Sequence, residues 1–207
     1  MEVKVNINIK EVQKELSDIH RNQLPYAVSL ALNATANDVA KQITDEMPRY
    51  LDRPNPFTLT AFMTKAGRFR GTRARKTNLR ASIIPGEIQE KYLAWQVYGG
   101  KQLPKKQAIL VPTLKAPKDR YGNISRATRK KYAKPAGNLF HAGQREDKEP
   151  GVYRRTRKKV VEMLAAYEPF TEYQPRFPMY KIAQRSVNRN FSLNMTMAIR
   201  RAIQTAR

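Results

Sequence analysis

Residues 24–48, LPYAVSLALNATANDVAKQITDEMP, decide how this chain folds. Leu24, Val28, Ala31, Leu32, Ala36, Val39, Ala40, Ile43 and Met47 recur at three- and four-residue spacing, the period of a helix with one apolar face. At 3.6 residues per turn the stretch makes about six or seven turns before Pro48. Alanines at 27, 31, 34, 36 and 40 leave little side chain between this helix and whatever covers it. Another backbone can therefore approach closely, either the sheet of the same domain or a neighbouring subunit. On the second reading Ala31, Ala36 and Ala40 are the candidate subunit-packing residues.

Upstream, Val3, Val5, Ile7 and Ile9 alternate with Lys4, Asn6 and Asn8, which predicts a strand with one buried face. A short helical piece is expected over 11–20. Downstream, Leu79, Ala81 and Ile83, then Leu93, Trp95 and Val97, then 108–111 suggest three antiparallel strands, with Gly99-Gly100 turning the second. Val152-Tyr153 and 160–167 are further candidate strands, the latter also compatible with a short helix. Pro178 opens a second long amphipathic helix through Met179, Ala183, Val187, Phe191, Met195, Ala198 and Ala202, with Arg185, Arg189, Arg200 and Arg201 off its stripe. The expected fold class is α+β. An antiparallel sheet packs against a long helix in the N-terminal half and a long C-terminal helix, in a single domain spanning 1–207. At 207 residues and 41% hydrophobic content, the chain is long enough to bury a core.

Two stretches interrupt that plan. Residues 53–77 read as a basic loop or arm, broken by Pro54, Pro56, Gly67 and Gly71. Residues 112–150 read as an irregular basic excursion. No acidic residue occurs between Asp52 and Glu87, whereas Arg53, Lys65, Arg68, Arg70, Arg73, Arg75, Lys76 and Arg80 do. The whole chain carries 40 Lys+Arg against 17 Asp+Glu, a formal charge of +23, so an anionic partner is expected. Arg68, Arg70, Arg73, Arg75 and Lys76, with Arg129, Lys130, Lys131, Arg154 and Arg155, are the candidate DNA- or partner-contacting residues. Aromatics interleave with them at Phe69, Tyr121, Tyr132 and Tyr153, a pattern suited to gripping phosphates or stacking bases.

Catalytic signals are thin. His20 and His141 have no carboxylate or hydroxyl at dyad spacing. Glu146, Asp147 and Glu149 lack the pattern of an oxygen-ligand loop and are expected to neutralise nearby cations. Glu90-Lys91 is too short a match to a nuclease motif, and Gly67-Arg-Phe-Arg-Gly71 lacks the Lys-Ser/Thr of a phosphate loop. With no cysteine, thiolate metal sites and Cys nucleophiles are excluded. No catalytic residue, metal site, cofactor or small-molecule substrate is expected. The alternating N-terminus is not a signal peptide, and no run of eighteen apolar residues occurs, so no membrane partner is expected either.

Leu24-Pro25-Tyr26-Ala27, Ala31-Leu32-Asn33, the Lys/Arg-rich middle, Ile109-Leu110-Val111-Pro112, Gly151-Val152-Tyr153-Arg154-Arg155, and Phe177-Pro178-Met179 before the last helix follow one another in that order. This series resembles the minor tail protein Z family of lambda-like phages and prophages. It is also similar to the broader neck and tail-completion fold of long-tailed phages. The resemblance implies a virion structural protein at the proximal tail or head–tail junction, made in the bacterial host cytoplasm. It implies a homo-oligomeric ring, a hexamer, in contact with other tail or neck ring proteins and with double-stranded DNA at the genome end. The alternative from the residues alone is a stand-alone nucleic-acid-binding protein.

Overall fold

The structure, a computed structural model, describes residues 2–6, 18–104, 108–143, 149–157 and 160–205. Ile7, Ile9, residues 11–17, Glu146, Asp147, Lys158 and Lys159 lie outside the described residues. The class is α+β, as expected: long helices pack together and every strand pairing is antiparallel. The chain divides into two compact units, Met1–Tyr98 with Pro175–Arg207, and Gly99–Gln174.

In the first unit, strand β1 (Val3–Asn6) is followed by helix α1 (Asp18–Tyr50). The helix continues two residues past Pro48, closed by Leu51 N–H donating to the Met47 carbonyl at 2.9 Å. Helix α2 (Pro56–Leu59) is capped by Asn55, whose side chain accepts from Thr58 N–H at 2.8 Å. Strands β2 (Gly71–Thr72) and β3 (Arg80–Ile83) complete a sheet of order β1-β3-β2. Helix α3 (Glu87–Tyr98) and helix α5 (Met179–Gln204) close the unit. The apolar stripe of α1 meets Phe62, Phe69, Ala81, Ile83, Leu93, Phe177, Met179 and Ile182 in one core. Burying such side chains contributes roughly 1.5–3 kcal/mol each for the larger ones.

Three expectations are corrected here. Residues 92–97 form helix rather than strand. Gln89 and Leu93 are buried and Val97 packs against the core, a spacing of four, while the 93/95/97 alternation is incidental. Pro85-Gly86 followed by Glu87 and Glu90 is the helix-start signal that outweighs it. Of the two readings of residues 53–77, the loop stands, with α2 and β2 inside it, and the extended arm does not: Ala61, Phe62, Phe69 and Ala74 are all core residues. Ala31, Ala36 and Ala40 are fully buried within this unit and offer no face to a neighbour. Ala27 and Ala31 pack on Ala198 and Ala202 of α5, which explains how two long helices can run so close.

In the second unit, β4 (Gly100–Gln102) pairs with β9 (Thr171–Tyr173). Strands β5 (Ile109–Pro112), β6 (Leu139–Ala142), β7 (Gly151–Arg155) and β8 (Val161–Glu168) form a sheet of order β5-β8-β7-β6. Helix α4 (Arg126–Ala133) starts at Ser125, whose Oγ accepts from Thr128 N–H at 3.0 Å. Residues 112–150 therefore carry a helix and a strand inside the stretch expected to be irregular. Ile124, Tyr132, Val152, Leu164 and Ala165 are the core of this unit.

Candidate nucleic-acid and partner interface

The basic stretch of the first unit is a strap tied down across α1. Asn33 and Asn37 stand one helical turn apart on that helix. The Asn33 side chain holds Ala74 at both backbone groups, accepting from its N–H and donating to its carbonyl, each at 2.9 Å. Asn37 Oδ1 accepts from Phe69 N–H at 2.9 Å. Between these anchors Phe69 and Ala74 point into the core, and the chain pairs with β3 through Gly71 and Thr72. Gly71 has φ +130°, and a Cβ there would lie 1.9 Å from the Ser82 carbonyl oxygen. Only glycine allows the strap to cross the strand so closely.

The cations on the strap fall into two kinds. Arg70 is structural: it is half-buried, and its Nε donates to the Thr60 and Met63 carbonyls at 3.3 and 3.2 Å. Arg68, Arg73, Arg75 and Lys76 are exposed. The Arg73 guanidinium lies 6.0 Å from the Phe69 ring centroid, and Lys76 Nζ 5.0 Å from that of Tyr26, so rings steady two of the cations. Arg75 is set at a tight turn, its backbone exchanging bonds with Asn78 at 2.8 and 3.0 Å. Among the described residues no salt bridge engages any of these four.

In the second unit Arg129, Lys130 and Lys131 are exposed on α4, which buried Tyr132 anchors to the sheet. Lys130 and Lys131 occupy its last turn, where cations suit the helix dipole. Arg154 and Arg155 separate by strand alternation. Arg154 Nη2 donates to Glu162 Oε2 at 2.7 Å, and that bond together with the nearby charge holds the Glu162 carboxyl below its usual range despite some burial. Arg155 is exposed and lies 5.7 Å from the Phe140 ring, which stacks on Tyr153 at 5.9 Å. Gly137, Asn138, Phe140, Arg154, Arg155, Thr156 and Arg157 line an open cleft of about 580 Å³.

Elsewhere, His141, Tyr98 and Tyr180 make bonds within the fold. His141 Nε2 bonds the Tyr132 carbonyl at 2.8 Å and its ring meets Tyr167 edge-on. Tyr98 and Tyr180 share a hydroxyl–hydroxyl hydrogen bond, and burial followed by that bond raises Tyr180 to about 12. Among the described residues no group of three or more His, Asp or Glu is placed to hold a metal, and no helix is long and apolar enough to cross a membrane. Sequence reasoning missed Asn33 and Asn37 as clamps, and Phe140 and Arg157 as cleft residues. Two asparagines at i, i+4 beside a helix's apolar stripe were the available signal for the clamps. Comparison of the chain with known families, with characterised proteins and with solved structures gives no match.

Proposed function

We propose that the chain is a structural protein of a phage virion that completes the proximal end of the tail at the head–tail junction. It forms a homo-oligomeric ring there, contacts adjoining tail or neck ring proteins, and meets the genome end. The observation that carries this reading is the clamped basic strap. Arg68, Arg73, Arg75 and Lys76 are presented on a backbone fixed by Asn33 and Asn37, so an anionic partner gains their charge without ordering a loop. The α+β plan with its two long helices fits the neck fold that the sequence resembles. With the alanine face of α1 occupied internally, Leu193, Met197 and Ile203 on α5 are among the exposed apolar residues available to a ring neighbour. The test is electron microscopy and infectivity of the parent phage with a nonsense mutation in this gene, with and without complementation. Filled heads that fail to join, or tailed particles that cannot deliver DNA, are the expected result; normal infectious particles would remove the virion role. A stand-alone nucleic-acid-binding protein is the second reading, favoured by the same unpaired cations. It predicts normal virions together with duplex binding that weakens steeply with salt.

A further inference from the structure

We propose that the cleft at the β6–β7 end of the second unit is a phosphate-binding site, with Arg155 and Arg157 as its working cations and Phe140 as the platform that holds Arg155. The source of that phosphate, a nucleic-acid backbone, rests on the genome contact proposed above; the site itself rests on the cleft.

Arg154, Arg155 and Arg157 all line the cleft, and their partners differ. Arg154 is spoken for, its Nη2 on Glu162 at 2.7 Å, so it forms a charge-balanced wall. Among the described residues neither Arg155 nor Arg157 has a carboxylate partner. Among the described residues, two guanidiniums without counter-ions beside one already balanced leave net positive charge along the cleft, which favours an entering anion. Guanidinium geometry matches phosphate through parallel N–H donors.

Phe140 argues for phosphate rather than base recognition. Its ring stands across the β6–β7 pair from Tyr153 and stacks on it with an interplanar angle of 22°. Arg155, two residues along β7 on the same face, lies against the ring as well. Both contacts occupy the ring, so it orients a cation instead of offering itself to a base. A cation fixed this way loses less side-chain freedom on binding than a free one. The cleft, at about 580 Å³, is larger than one phosphate group requires and admits the sugar attached to it. Such a site reads the backbone and not the sequence.

The test uses the full chain and a short random-sequence duplex, with fluorescence anisotropy at several salt concentrations. Arg155→Gln with Arg157→Gln should weaken binding about tenfold or more at low salt and reduce the salt slope by about 1–2, since each neutralised phosphate contributes about 0.9. Phe140→Leu keeps every charge, so affinity should fall a few-fold with the slope unchanged. In parallel, inorganic phosphate titrated into the wild-type chain should shift the Nε–H resonances of Arg155 and Arg157. If the strap variant Arg68→Gln/Arg73→Gln/Arg75→Gln lowers the slope and the cleft variant does not, the cleft proposal is overturned while the genome contact survives. If the duplex does not bind but inorganic phosphate still shifts both arginines, the cleft stands and the genome contact fails. Should the double variant not fold, the Phe140→Leu and phosphate arms decide: unchanged affinity and unshifted resonances overturn the proposal.

Discussion

Removing the Asn33 side chain tests whether the basic strap is truly part of the fold. Asn33→Ala deletes two hydrogen bonds of 2.9 Å and strands both backbone groups of Ala74, a residue only 5% exposed. A buried polar group left without a partner costs about 1–3 kcal/mol, and water entering beside the half-buried Asn33 position recovers part of that. The expected loss is about 2–4 kcal/mol. Asn37→Ala removes one bond, to Phe69 N–H, and should cost about 1–2 kcal/mol by the same reasoning. Urea unfolding followed at Trp95, the single tryptophan and a residue of the first unit, measures both. With a slope of about 2 kcal/mol/M, Asn33→Ala should lower the midpoint by roughly 1–2 M. Its effect on partners is equally specific. Freeing about two residues around Ala74 costs about 2 kcal/mol to reverse on binding, roughly thirtyfold in Kd, yet the cation count and hence the salt slope stay the same. A cost below about 0.5 kcal/mol for either variant, or an Asn37→Ala cost clearly larger than that of Asn33→Ala, would refute the clamp as described.

Gly71→Ala should be far worse than Gly67→Ala, although both glycines have positive φ. At Gly71 the new Cβ strikes the Ser82 carbonyl at 1.9 Å, whereas nothing lies within 4 Å at Gly67. Losses of about 3 kcal/mol or more against about 1 kcal/mol are expected, read as a melting-temperature difference of roughly 4–8 °C. The tyrosine pair gives a pH prediction. Tyr180 is raised from an ordinary value of 10.0 to about 12, so the folded state keeps its proton where the unfolded state loses it. That contribution is complete below pH 10 and is lost as pH rises from 10 to 12. Absorbance titration should show one tyrosine ionising late, and Tyr180→Phe should flatten the alkaline fall in stability. Because burial is the larger cause, Tyr98→Phe should lower Tyr180 only part of the way; a return to the ordinary value would contradict that order.

How much of this was legible in the sequence depends on the range of the interaction responsible. The two long helices are written locally, in the 3.6-residue recurrence from Leu24 to Met47 and from Met179 to Ala202, and they appear where expected. The alternation at 79, 81 and 83 matches the strand over 80–83, and the short apolar runs read as candidate strands match those at 109–112, 151–155 and 161–168, the last of which was also compatible with a short helix. Helix α3 was hidden because its apolar residues fit two periods; the start signal at Pro85-Gly86 with Glu87 and Glu90 favours the helix, and burial of Gln89 with Leu93 agrees with it. The strap was hidden for a different reason. Its anchors lie 32 and 41 residues away on α1, and a Gly- and Arg-rich stretch does not announce a partner so distant. The alanines of α1 showed that something approaches closely, but the sequence leaves open whether it belongs to the same chain.

The same distinction governs the charge. Arg70 and Arg73 look alike in sequence, as do Arg154 and Arg155, yet one of each pair is fixed by bonds within its own unit and the other is not. Arg70 is turned inward to two carbonyls and the Arg154 charge is balanced by Glu162 through Nη2, although its buried Nε has no partner, so neither brings net charge to a partner without breaking an internal bond. Arg73 and Arg155 instead rest on the rings of Phe69 and Phe140, which limits their motion without cancelling their charge. Counting cations therefore overstates what is available for binding, while counting unpaired ones understates how well they are placed. A chain that spends some arginines on bracing the segments that carry the others presents rigid positive surfaces. That arrangement suits an anionic partner met repeatedly at one fixed spacing, as the phosphates of a duplex or the acidic face of a ring are.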